Sequence, residues 1–168
     1  LELFHVYAWL WIVDLPLFSL ALLMNWKLWP RGRMPGLLAV LFIGLAWLPL
    51  TFALYAGQSL AYAMTGVYVL ARAPAHALFV GFFGSVLVAM VTRVTQGHSG
   101  QMLLMPKAAW WAFAAVQVVA VARIVAELSD DPMGWMAFAA IGWLLAFAPW
   151  VLRIGRIYLS PRADGKPG

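Results

Sequence analysis

The stretch at positions 74–100, PAHALFVGFFGSVLVAMVTRVTQGHSG, does most to limit what this chain can fold into. It is apolar for long enough to cross a bilayer, which takes about 20 helical residues. Inside hydrocarbon the backbone must satisfy its own polar groups, so the run reads as a helix. His76 stands near one end and Arg93 near the other. Ionisable residues in a spanning helix mark a functional site by default. Four more apolar runs flank it, giving expected spans at about 3–26, 36–55, 73–95, 108–126 and 132–154. Pro30 and Pro35 separate the first two, Pro49 interrupts the second, and Pro106 and Lys107 open the fourth. Positions 58–72 read as a short interfacial helix or an N-terminal extension of the third span. No internal repeat is visible, and no soluble domain fits between the spans. The expected fold is all-α: a polytopic transmembrane bundle of about five spanning helices.

Composition agrees. The chain is 65% hydrophobic and 10% charged, whereas soluble domains carry roughly 25% charged residues. Its solvent and first partner is therefore the lipid bilayer. The net charge of +5 does not point to nucleic acid, because the charges sit at span ends. Lys27, Arg31, Arg33, Arg93, Lys107, Arg153, Arg156, Arg162 and Lys166 fall on one side. Arg72, Glu2, Glu127, Asp130 and Asp131 fall on the other. The positive-inside rule puts the basic side and the C-terminus in the cytoplasm and Leu1 outside. Trp26, Trp29, Trp110, Trp111 and Trp150 lie near the inner interface and Trp135 near the outer one, as aromatic belts do. There is no cysteine, so disulfides, thiolate metal ligands and covalent c-type haem are excluded. Any haem would be held non-covalently by His or Met. The start at Leu1 shows neither a basic region nor a cleavage site, so the chain reads as a fragment rather than as a leader-bearing protein.

The pattern His76, Gly81, Gly84, Met90, Arg93 and Gly97-His98-Ser99-Gly100 resembles the signature of the NnrS family. The end of the chain, Pro161-Arg162-Ala163-Asp164-Gly165-Lys166-Pro167-Gly168, and the segment from Phe42 through Pro49 are also similar to that family. The resemblance implies a bacterial inner-membrane protein of the nitric oxide response, with a non-covalent b-type haem and copper as a second metal. It also implies about twelve spans, so the chain is expected to form the C-terminal part of a larger bundle, with further N-terminal spans as its partner. Two departures from the family pattern stand out. Ser99 and Gln101 replace a threonine and an arginine, and Phe42 occupies a position where the family often has histidine.

Depth sorts the candidate residues. His5 and His76 lie near the outer ends of inward-running spans, with Arg72 and Arg123 at a similar level. Two imidazoles at one depth can be axial ligands of a haem or serve haem and copper separately, and nearby arginines can pair with propionates. His98 lies roughly 33 Å further along a helix axis, at 1.5 Å per residue, so it cannot share a metal with His76. With Arg93 it forms an inner locus, in which Gly97 ends the helix and presents His98 from a glycine-flanked turn. Each locus also has a plain structural account: an interfacial histidine, a snorkelling arginine, a solvated turn. Arg123 stands four residues before Glu127, the spacing of a helical ion pair. Ala77, Gly81, Ser85 and Ala89 form a small-residue stripe suited to close helix packing, and Met90 reads as core. Asp14, mid-span beside Pro16, reads as a hydrogen-bonded acid or part of a proton path.

Three functions fit these residues. The first is the haem protein of the nitric oxide response that the resemblance implies. The second is a membrane oxidoreductase acting on nitric oxide or a quinone. The third is a cofactor-free small-molecule transporter whose polar residues line a path, with a purely structural membrane subunit as the least specific reading.

Overall fold

Wherever the sequence stays apolar for a bilayer's thickness, the chain is helical. In the computed structural model, which describes residues 7–165, five helices are long and apolar enough to cross a membrane. They are Tyr7–Leu28, Gly36–Thr65, Ala73–His98, Lys107–Leu128 and Pro132–Tyr158. The protein is an all-helical membrane protein, with no strand among the described residues. Its elements are a 3-10 turn (Tyr7–Trp9), α1 (Trp11–Leu28), α2 (Gly36–Leu45), α3 (Trp47–Thr65), α4 (Ala73–His76), a π-helical segment (Ala77–Phe83), α5 (Gly84–His98), α6 (Lys107–Leu128) and α7 (Pro132–Tyr158).

Prolines explain two local features. Pro49 has no N–H to offer the Leu45 carbonyl, and its ring crowds that carbonyl. The second span accordingly breaks into α2 and α3 at Ala46, whose N–H is shared between Phe42 O at 3.1 Å and Ile43 O at 3.2 Å. The break does not end the span. Helix continues to Thr65, and Gly66 caps it with φ 72° and its N–H on Tyr62 O. Positions 58–65 thus belong to the second span, neither a separate interfacial helix nor part of the third. Their polarity is absorbed locally, since Ser59 Oγ donates to Ala56 O and Thr65 Oγ1 to Ala61 O.

Pro149 in α7 likewise leaves the Leu145 carbonyl without its helical partner. Trp111 on α6 fills the gap, its Nε1–H donating to Leu145 O at 2.9 Å. Trp111 therefore has a structural bond beyond any interfacial role. Trp111→Phe is expected to cost about 1–3 kcal/mol by orphaning that carbonyl in an apolar setting. In a Pro149→Ala background, where the helix supplies its own N–H, the same change should cost little. Thermal unfolding of the four proteins in detergent checks both.

Packing rests on small residues. Lipid tails are as apolar as leucine, so helices associate through close contact rather than hydrophobic exclusion. Ala109, Ala112, Ala120, Ala122 and Ala126 of α6 and Ala139 and Ala146 of α7 are all buried. One core cluster joins Val40, Val88, Ala89, Phe113, Val116 and Trp150. A second joins Trp47, Ala77 and Ala120. Trp150 is only 5% exposed, with its Nε1–H on Thr92 Oγ1 at 2.9 Å. It is a core residue, not a member of the aromatic belt. α1 lies against α3 and buries none of its own residues.

Candidate functional site

The connections fix which span ends share a side. One end of the bundle gathers Arg72, Glu127, Asp130 and Asp131, and the other gathers Lys27, Arg31, Arg33, Arg93, Lys107, Arg153, Arg156 and Arg162. At the acidic end, α4 starts the third span with buried Ala73 and Pro74 and brings His76 against α6. His76 Nε2 lies 3.0 Å from Glu127 Oε1, both side chains being largely shielded. Arg123 Nη2 lies 3.2 Å from the same nitrogen. One nitrogen cannot donate to a carboxylate and accept from a guanidinium at once. The shorter contact, and the fact that a carboxylate can only accept, favour Nε2–H donating to Glu127, which leaves the lone pair on Nδ1. The Arg72 backbone N–H approaches Glu127 Oε2 at 3.4 Å.

Glu127 therefore pairs across helices with His76, where sequence spacing had offered it Arg123 on its own helix. The turn that delivers Arg72 is braced by Tyr62 and Tyr68, stacked at 4.4 Å, with Tyr7 edge-on to both. It contains Ala71 at φ 44°, a conformation that costs an alanine about 1 kcal/mol or more. Ala71→Gly is expected to raise thermal stability by roughly 1 kcal/mol, a gain that a matched Gly at half-buried Ala75 should not reproduce.

Below His76 the helix widens. Residues Ala77–Phe83 form π turns, which are rare and frequently found at functional sites. Each residue so inserted rotates everything beyond it by about 100°. Met90 is thereby carried off the His76 face; it is 41% exposed and is not core. The same widening keeps the four-residue stripe on one face, because Ala77, Gly81, Ser85 and Ala89 are all buried. A Cβ on Gly81 would overlap the Trp47 indole. From that indole a chain of hydrogen bonds crosses mid-span. Trp47 Nε1–H donates to Gln117 Oε1 at 2.6 Å, Gln117 Nε2 donates to Ser85 Oγ at 2.8 Å and to Phe113 O at 3.1 Å, and Ser85 Oγ donates to Gly81 O at 2.6 Å. Sequence reading passed over Gln117. The signal was its position alone, an amide in the middle of an apolar run.

At the basic end the helix does not stop at Gly97. It runs through His98, and Gly100 takes the left-handed conformation at φ 69°. Gln101 N–H donates to Gln96 O at 2.9 Å, closing a Schellman turn. Gln96 is buried and holds the next loop by two bonds to Leu104. The tail folds back on this turn, with Ala163 N–H on Ser99 O and Asp164 against Gly100. Arg162 grips Asp164 through two nitrogens at 2.9 and 2.7 Å, which holds the guanidinium pKa above its usual value. His98 and Arg93 are exposed, and His98 lines a cleft with Thr95, Tyr158 and Arg162. Gly100→Ala should loosen the tail, since alanine is strained at that φ and its Cβ would lie 2.6 Å from Asp164 Cγ.

Of the candidate residues, the structure unites His76, Arg123 and Arg72 and adds Glu127. It leaves His98 and Arg93 at the opposite end. His5 lies outside the described residues. Among the described residues no three His, Cys, Asp or Glu converge as a metal cage, so His76 offers one ligand, not a complete set. The donor set suits a haem edge: an imidazole oriented by a carboxylate on one nitrogen, with a lone pair on the other, and two guanidiniums nearby. Gln58 Oε1, on α3 toward the same end, is buried with no hydrogen-bond partner. A family model described as NnrS protein matches residues 1–162. No curated protein and no solved structure matches the chain.

Proposed function

The chain belongs to the NnrS family, and from that premise we propose that it is part of a membrane haem protein of the response to nitric oxide, in which His76 would hold the haem. The observation that carries the reading is the grouping of His76 and Arg72 with Glu127 and Arg123, from two stretches of chain about 50 positions apart, at one membrane side. Bound there, haem would supply an iron able to take a small gas such as nitric oxide. The protein's own part is positional. Glu127 holds one ring nitrogen of His76 and so fixes the tautomer and the plane of the imidazole. Arg123 and Arg72 provide cationic donors for carboxylates. With no cysteine in the chain, the attachment is non-covalent. Copper favours imidazole or sulfur donors. His98 is a lone exposed donor at the far end, so the reading commits to haem alone.

The test is an absorption spectrum of the protein purified in detergent, beside His76→Ala and His98→Ala. A Soret band is expected in the wild type, lost in His76→Ala and retained in His98→Ala. Its absence from the wild type after haem-supplemented expression would sink the reading and put a cofactor-free transporter ahead. Turnover of nitric oxide by the pure protein would move it to the oxidoreductase class.

The basic end is proposed to face the cytoplasm of a bacterial inner membrane, on the distribution of lysine and arginine. The chain has no cysteine, so single introduced thiols report cleanly. In intact cells stripped of their outer membrane, Ser129→Cys is expected to react with an impermeant maleimide and Ser160→Cys to stay protected. The reverse pattern would invert the topology.

A further inference from the structure

We propose that the cleft beside Arg153 and Arg156 binds the headgroup of an anionic phospholipid. The cleft has a volume of about 490 Å³ and is lined by Gln101, Ala108, Pro149, Leu152, Arg153, Arg156, Ile157 and Ser160. Its polar and apolar walls are separated by depth. Pro149 lies roughly 13 Å below the end of α7, at 1.5 Å per residue, and Leu152 lies between it and the arginines. Going outward, Arg153, Arg156 and Ser160 follow at helical spacings of three and four, so they stand on one face of α7. An acyl chain would run along Pro149 and Leu152, with the phosphate at the two guanidiniums.

The arginines are not already spoken for. Among the described residues neither Arg153 nor Arg156 forms an ion pair; the pairs at the two ends of the bundle are His76 with Glu127 and Arg162 with Asp164. The acidic residues near this membrane level reduce to Asp164, which Arg162 occupies with two bonds. Both Arg153 and Arg156 are exposed at the cleft wall. Guanidinium is the side chain best matched to phosphate, because it offers parallel N–H donors. The first turn of α6 contributes Ala108 to the same wall and adds the positive end of that helix. Basic clefts between spanning helices are a known setting for anionic headgroups. A free phosphate would use the guanidiniums but gain nothing from Pro149 and Leu152 below them. The apolar half of the cleft therefore favours a lipid.

The proposal does not depend on the haem reading, and its test does not involve cofactor. The whole protein, in uncharged detergent, is titrated with phosphatidylglycerol, phosphatidylcholine and inorganic phosphate while bound lipid is counted by native mass spectrometry. Phosphatidylglycerol is expected to bind in preference to phosphatidylcholine. Arg153→Gln/Arg156→Gln should weaken it roughly 10- to 30-fold, and Arg153→Lys/Arg156→Lys should keep most of the binding. Lys27→Gln/Arg33→Gln removes equal charge from the same end and should change binding by less than about twofold. Equal loss in that control would show a general surface attraction and overturn the site. So would unchanged binding in the arginine-to-glutamine variant, or displacement of the lipid by inorganic phosphate at equal concentration.

Discussion

Gly81→Ala is expected to destabilise the protein by about 2–4 kcal/mol, a large effect for one methyl group. Adding atoms to a well-packed interior costs about 1–3 kcal/mol when neighbours can shift a little. Here the neighbour is the Trp47 indole, which a Cβ on Gly81 would overlap. The indole is 9% exposed and anchored by its Nε1–H on Gln117 Oε1. It can move aside only by giving up that bond, which adds about 1 kcal/mol or more. The alternative is to separate α3 from the π-helical segment along the whole contact. Thermal or denaturant unfolding in detergent reads the loss. Gly57→Ala is the control: it lies in α3 with nothing within 4 Å of its Cβ, so alanine there should be neutral or stabilising by up to ~1 kcal/mol. Gly81→Ala combined with Trp47→Leu should recover part of the loss, because the smaller side chain vacates the space. If Gly81→Ala proves as harmless as Gly57→Ala, the close approach is not what glycine is there to allow.

That glycine also marks how far sequence can be read. The recurrence of Ala77, Gly81, Ser85 and Ala89 announces a helix face meant for close contact, and all four are buried. The apolar runs likewise announce five spans, and five helices of spanning length follow. What periodicity cannot announce is a change of period. The π turns at Ala77–Phe83 carry Met90 to an exposed face and leave His76 on the face that meets α6. Long-range pairing is equally silent. Arg123 and Glu127 stand at the spacing of a helical ion pair, yet the carboxylate meets His76, 51 positions away in the chain. Trp150 illustrates composition misread as location. A tryptophan near a span end suits an interfacial belt, but Thr92 offers it a hydroxyl inside the bundle. At the Gly97-to-Gly100 turn, composition leaves the helix's stopping point open. Two glycines bracket His98, and only Gly100 takes the left-handed conformation that ends the helix.

Gln117→Leu is the second change expected to act strongly, and it separates two accounts of the mid-span polar groups. Leucine keeps much of the volume and removes the amide. Trp47 Nε1–H then loses its acceptor and Ser85 Oγ loses a donor, although Ser85 can still donate to Gly81 O. An unpaired N–H in a buried setting costs about 1–3 kcal/mol, so a loss near 2 kcal/mol is expected. Single interhelical bonds in membranes average about 0.6 kcal/mol, and the excess here reflects two bonds failing together. A double-mutant cycle with Trp47→Phe should return a coupling of about 1 kcal/mol or more, since the phenylalanine has no N–H left to orphan. The competing account makes Gln117 part of a substrate path. In that case Gln117→Leu would leave unfolding unchanged and impair only transport, and the cycle would show no coupling to Trp47. The structural account is preferred because the amide uses both ends: its oxygen accepts from Trp47, and its nitrogen donates to Ser85 and to the Phe113 carbonyl. A side chain so fully engaged on three helices has little to offer a passing solute. It does have the bonds needed to hold the widened turn, and with it the histidine one turn above, in register.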